Sequence, residues 1–200
     1  MFDSGIKAAA LIEQIKKEAD IAIPVPDSSY ILWLNALEQL LYTELIREQG
    51  KIELSNVSGS VIDIDTLSVP DGEGSVRFED ILAIYADRTQ LIRSTVASGS
   101  IFPDTYYKTG NNIGLNLAFQ PERIKLIYLV KPELKTADNI NTRNIMLPVE
   151  FTELVKAKLR GEAYKLVNED SIAAKWINDY NILLETFKSW LSAKQADFGL

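Results

Sequence analysis

The sequence predicts an α+β fold in which a helical bundle, built from both ends of the chain, carries an inserted antiparallel β lobe. The hydrophobic period is near 3.6 through the first fifty residues, falls to 2 from Lys51 to about Lys131, and returns to 3.6 past Met146. No helical segment interrupts the seven short alternating runs of the middle region, which excludes a doubly wound sheet. The expected layout is a helical body of residues 1–50 and 146–200, a β lobe of 51–131, and a return strap of 132–145.

From Met1 to Ala19, Ile6, Ala9, Ile12, Ile15 and Ala19 fall near one helical face, with Ser4 as the expected cap. Pro24 and Pro26 forbid helix around them, so residues 21–26 should run extended. Asp27 or Ser28 then caps a helix from Ser29 to Gln49, in which Ile31, Trp33, Leu34, Leu37, Leu40, Leu41 and Leu45 make a broad apolar face and Gly50 is the stop. Strands are expected at 52–54, 61–64, 81–85, 91–95, 106–108, 113–119 and 124–130, separated by Gly, Ser, Asp and Pro. The strongest hairpin signal is Lys108-Thr109-Gly110-Asn111-Asn112, because Gly and Asn accept positive backbone φ. A small sandwich or curled sheet should result.

The strap from Lys131 to Pro148 has no sustained period, and Ile145, Met146 and Leu147 should tack it down. Beyond it, Phe151, Leu154, Val155, Leu159, Ala163 and Leu166 form one stripe. Ile172, Trp176, Ile177, Tyr180, Leu183, Leu184, Phe187 and Leu191 form a stronger one after Asn168-Glu169-Asp170. Two such helices make an antiparallel hairpin, and the helix bearing Trp33 must complete its core.

Composition narrows the function. The 28 acidic and 21 basic residues give a net charge of -7, and each of the three regions is net acidic. That field disfavours duplex nucleic acid and anionic membranes. Without cysteine there is no disulfide framework or thiolate metal cluster, and without histidine no Ser-His-Asp or Cys-His machinery. Ala8 to Ile12 is too short for a signal-peptide core and no apolar run approaches the roughly 20 residues of a membrane span, so synthesis in the cytoplasm is expected.

The glycines never form a phosphate-binding run, and no catalytic residue, cofactor or metal is expected. Asp63 with Asp65, and Asp71-Gly72-Glu73-Gly74, invite a calcium reading, but the full helix-flanked loop pattern is missing and a surface turn is favoured. Arg77, Arg88, Arg93, Lys108, Arg123, Lys125 and Lys131 lie among Tyr85, Tyr106, Tyr107 and Tyr128, which could stack on single-stranded nucleic acid, but nearby carboxylates nearly cancel their charge.

Several segments together resemble the bacteriophage head-to-tail adaptor (connector) proteins of short-tailed phages. They are Pro26-Asp27-Ser28-Ser29-Tyr30-Ile31-Leu32-Trp33-Leu34-Asn35, Val76-Arg77-Phe78-Glu79-Asp80-Ile81, Tyr128-Leu129-Val130-Lys131-Pro132, Leu147-Pro148-Val149-Glu150-Phe151, and Asn168-Glu169-Asp170-Ser171-Ile172-Ala173-Ala174-Lys175-Trp176 followed by Tyr180. The resemblance implies a non-enzymatic virion protein, made in the host cytoplasm, that forms a ring with copies of itself, commonly twelve. Such a ring bridges the portal protein to tail or nozzle proteins while genome DNA passes through it, without sequence-specific nucleic-acid binding or membrane contact.

Candidate contact residues are Tyr106, Tyr107, Asn111 and Asn112 at the hairpin and Trp190, Phe198 and Leu200 at the tail. An alternative is a recognition module in which Tyr106, Tyr107 and Tyr128 form a platform for carbohydrate or peptide. An enzyme built on clustered buried carboxylates is a third reading.

Overall fold

Six residues at the N-terminus that have helical apolar spacing do not join a helix, because the strap competes for their backbone. In the computed structural model, which describes residues 2–19, 21, 24–55, 57, 59–69, 74–95 and 102–197 (side chains only to 194), the first helix α1 is Ala8–Glu18. Ahead of it, Ser4 N donates to Ile145 O (3.0 Å), Ile145 N to Ile6 O (2.8 Å) and Ala8 N to Arg143 O (3.0 Å). Ser4 caps a turn rather than the helix, its Oγ accepting from Ile6 N at 3.0 Å.

The chain divides into two compact units, Met1–Ile46 with Leu134–Leu200, and Arg47–Glu133. The helical unit contains α1, α2 (Asp27–Leu41), a wider π-type turn (Tyr42–Ile46), α3 (Thr152–Leu166) and α4 (Asp170–Asp197). Pro26 takes the N-cap position of α2, while Asp27 sits in the first turn, where a carboxylate favours the helix dipole. The helix stops well short of the expected Gln49. Arg47 adopts φ +50°, and Gln49 and Gly50 already belong to a strand, so Gly50 terminates nothing.

Between α3 and α4 the reversal is made by Asn168, at φ +61°, with Glu169 N closing on Tyr164 O at 2.9 Å. Gly161 lets the two helices approach, since a Cβ there would lie 3.2 Å from Ile177. Leu34 and Leu41 of α2 and Leu154, Val155 and Leu159 of α3 are completely buried, so the Trp33-bearing helix does contribute to the hairpin's core. Its face is rotated from the expected one: Leu40 is 51% exposed.

The β unit holds β1 (Gln49–Ser55), β2 (Val61–Asp63), β3 (Ile81–Ala86), β4 (Thr89–Gln90), β5 (Ile92–Arg93), β6 (Thr105–Thr109), β7 (Asn112–Asn116) and β8 (Arg123–Leu129). They form two four-stranded sheets, ordered β1-β8-β3-β4 and β2-β7-β6-β5. Among the described residues all pairings are antiparallel except the short β5–β6 pair. The chain changes sheets at buried Leu91, whose N donates to Ile84 O while Ile92 N donates to Asp104 O. Strand β8 shows the alternation that defines its register, with Ile124, Leu126 and Tyr128 all inward.

Glycines at two strand positions lie under tyrosine rings. A Cβ at Gly50 would meet the Tyr128 ring at 2.2 Å, and one at Gly114 the Tyr107 ring at 2.4 Å. Because Tyr128 is 1% exposed, its ring has nowhere to retreat. Gly50→Ala should therefore destabilise the β unit by about 1–3 kcal/mol, the usual cost of overpacking, read as a lower urea midpoint. An unchanged midpoint would show that the ring moves freely.

Candidate functional site

The most constrained group of polar side chains lies in the helical unit, where α2 receives the strap. Glu38 and Asn35 stand one turn apart on α2, facing inward beside Leu34 and Leu37. The Glu38 carboxylate accepts from the Lys135 ammonium and from Met146 N (2.8 Å). Asn35 Oδ1 accepts from Lys135 N (2.8 Å) while its Nδ2 donates to Lys135 O (2.8 Å). Both ends of the strap are thus held from two α2 side chains. The Glu38 and Lys135 side chains are each 1% exposed.

A fully buried charge pair loses hydration on both sides and holds its place only through such partners. Burial, the largest effect, raises the Glu38 carboxyl above its ordinary value of 4.5, with Lys135 and the Met146 amide pulling the other way. Sequence reading missed this site. Its only local signal was a lone carboxylate on the inner face of an otherwise apolar helix; the partner is 97 residues away.

A second buried cation, Arg160 of α3, pairs with Glu18 of α1 and lies 4.6 Å over the Trp176 ring. It thereby joins α1 to the α3–α4 hairpin beside the small core of Ala19, Tyr164 and Ala173.

The hairpin candidates take different positions. Tyr106 is 3% exposed and packs 5.9 Å from Phe78, so it does not reach the surface expected of a contact residue. Tyr107 is half-buried over Gly114. At the turn, Gly110 has φ +63° and Asn111 Nδ2 donates to Asp65 Oδ1 (2.9 Å). Asp63 Oδ1 accepts from Asp65 N (3.0 Å). These carboxylates are engaged by amides. Among the described residues no group of three or more carboxylates comes together to hold a metal ion, and Asp71 lies outside them.

Trp190 joins a four-ring cluster, 5.6 Å from Phe2, 5.2 Å from Phe151 and 6.0 Å from Phe187, and is half-buried there. Phe198 and Leu200 lie outside the described residues. Among the described residues no helix is long and apolar enough to cross a membrane. Comparison of the chain with protein-family models and with curated proteins finds no match to either.

Two outcomes follow from the buried pair. Lys135→Met leaves Glu38 buried without its cation and should cost about 3–5 kcal/mol by urea unfolding. Glu38→Gln with Lys135→Met retains an acceptor for Met146 N and should recover most of that loss; a double variant as weak as the single would show that the charge was not the issue. The pH dependence has a definite sign. A carboxyl raised in the folded state contributes stability that is fully present below its unfolded value and lost as pH rises through its folded value. Relative to wild type, Glu38→Gln should flatten the fall in stability above the ordinary value of 4.5; identical pH slopes would contradict it.

Proposed function

We propose that this chain is a structural virion protein, a subunit of an oligomeric ring connecting the portal vertex of a phage capsid to the tail. Its partners are copies of itself, twelve in the proposed ring, together with the portal protein and tail or nozzle proteins. It is made in the host cytoplasm, performs no catalysis, and lets genome DNA pass without reading its sequence.

The observation that carries this reading is the division of labour in the chain. A helical unit is closed by a buried clamp on its own strap, while eight short strands form a separate compact unit inserted between its two chain segments. This is the helical body with inserted lobe that the adaptor resemblance implies. The net charge of -7 supports it too, because an acidic protein beside passing DNA is repelled by phosphate. Contacts in this reading fall to Tyr107, Asn111, Asn112, Trp190, Phe198 and Leu200. The carbohydrate or peptide platform is less well supported, because Tyr106 and Tyr128 are buried.

Native mass spectrometry of the chain alone and mixed with a portal ring is the test. The expected result is a discrete twelve-copy species, formed alone or on the portal. A chain that stays monomeric and never joins the portal would overturn the proposal.

A further inference from the structure

We infer that the β unit turns as a rigid body on a two-strand stem, with its pivots at Arg47 and at Glu133–Leu134. The inference concerns how the chain joins its two units and does not depend on the ring reading.

Two passages of chain connect the units, Ile46 to Arg47 on the way out and Glu133 to Leu134 on the way back. Within the β unit both start from one place. Glu48 O accepts from Val130 N at 2.8 Å, and Gln49 pairs with Leu129 as the first step of the β1–β8 ladder. The unit is therefore entered and left at the same end of two neighbouring strands. Such strands lie about 4.8 Å apart, so the two covalent links stand side by side. Links set far apart would resist turning about most axes, and links this close resist little.

Firm anchors confine each pivot to one or two residues. On the return passage two lysines four residues apart are held by opposite units. The Lys131 ammonium pairs with Asp80, which is buried, and Lys131 O accepts from Gly74 N, all inside the β unit. Lys135 is held by Glu38 and Asn35 of α2. Between them Pro132 is buried and its ring fixes φ, so freedom falls to half-buried Glu133 and to Leu134, which is 50% exposed. On the outward passage, buried Ile46 ends the π-type turn and Glu48 already bonds to Val130, which leaves Arg47.

Arg47 has the backbone of a pivot. Its φ of +50° lies in the left-handed region, which a residue with a side chain occupies at a cost relative to the extended and right-handed regions. A change of region at this single exposed residue redirects the chain that follows it. Hinges work in this way, through a few residues at the ends of elements that absorb the whole dihedral change. The units themselves stay rigid, because each has its own core: Ile84, Ile113, Ile124 and Leu126 are completely buried in one, and Leu34, Leu41, Leu154 and Leu159 in the other. Turning at the stem breaks into neither.

A lanthanide tag fixed to the helical unit tests the pivot. The chain has no native cysteine, so Asn178→Cys, exposed on α4, takes the tag at one place. The tag aligns the helical unit in a magnetic field, and amide residual dipolar couplings report how faithfully the β unit follows. The expected result is a smaller alignment tensor for β1–β8 than for α2–α4, with the couplings of each unit fitting that unit's own fold. Arg47→Gly opens the other backbone regions to the pivot and should shrink the β-unit tensor further, with the helical one unchanged. Equal tensors for the two units of the otherwise wild-type chain would overturn the inference, as would an Arg47→Gly chain whose β-unit tensor stays at its original size. Couplings that no longer fit the β unit's own fold would show internal loosening in place of rigid-body turning, and would overturn it too.

Discussion

A buried ammonium and carboxylate cannot be left to choose their positions, and in this chain that constraint fixes both ends of a strap that buried Ile140, Ile145 and Leu147 also hold down. The strap has no hydrophobic period and forms neither helix nor strand. Its ends are set at Lys135 and Met146 by Glu38 and Asn35, and a turn at Thr136–Asn139 shapes it between them. Once placed, its backbone supplies the partners for Ser4, Ile6 and Ala8, which determines where α1 begins. Its downstream end leads directly into the short turn Val149–Phe151 and α3, and Phe151 enters the ring cluster with Phe2, Phe187 and Trp190. The pair is better understood as a source of register than of net stability, because apolar residues of similar volume usually do as well energetically.

What the sequence made legible depended on how local the deciding physics was. The α3–α4 hairpin and the antiparallel strand character of the middle region were readable because their periods repeat over many residues, although the two-residue strand at Thr89–Gln90 was too short to show one. The end of α2 was not, because Gln49 and Gly50 are claimed by pairing with Leu129 and Tyr128, about eighty residues downstream. Gly50 looked like a helix stop and is instead a strand position over which a tyrosine lies. Ser4 looked like a cap and was taken by the strap. Tyr106 and Tyr107 alternate along one strand, and sequence alone gave no reason to send Tyr106 inward; the contact with Phe78 does. The Glu38 site was legible only as an anomaly, a carboxylate where an apolar residue was due.

The same distinction separates fold from function. Packing and pairing account for two compact units without reference to any partner. Packing leaves apolar side chains outward in both units, among them Leu32 and Ile182 on helices and Ile92 and Phe102 in the β unit. Tyr107, Asn111 and Trp190 are each tied into their own unit, so their value as contacts depends on faces that internal bonds leave open.

Amide hydrogen exchange on Lys135→Met tests most directly whether one buried pair orders the strap and the segment it holds. If it does, the amides of Ser4, Ala8, Ile145 and Met146 should lose protection together, while Ile84 and Leu126 in the β unit keep theirs. Loss confined to the amide of residue 135, or a uniform loss throughout both units, would contradict a clamp that governs the helical unit alone.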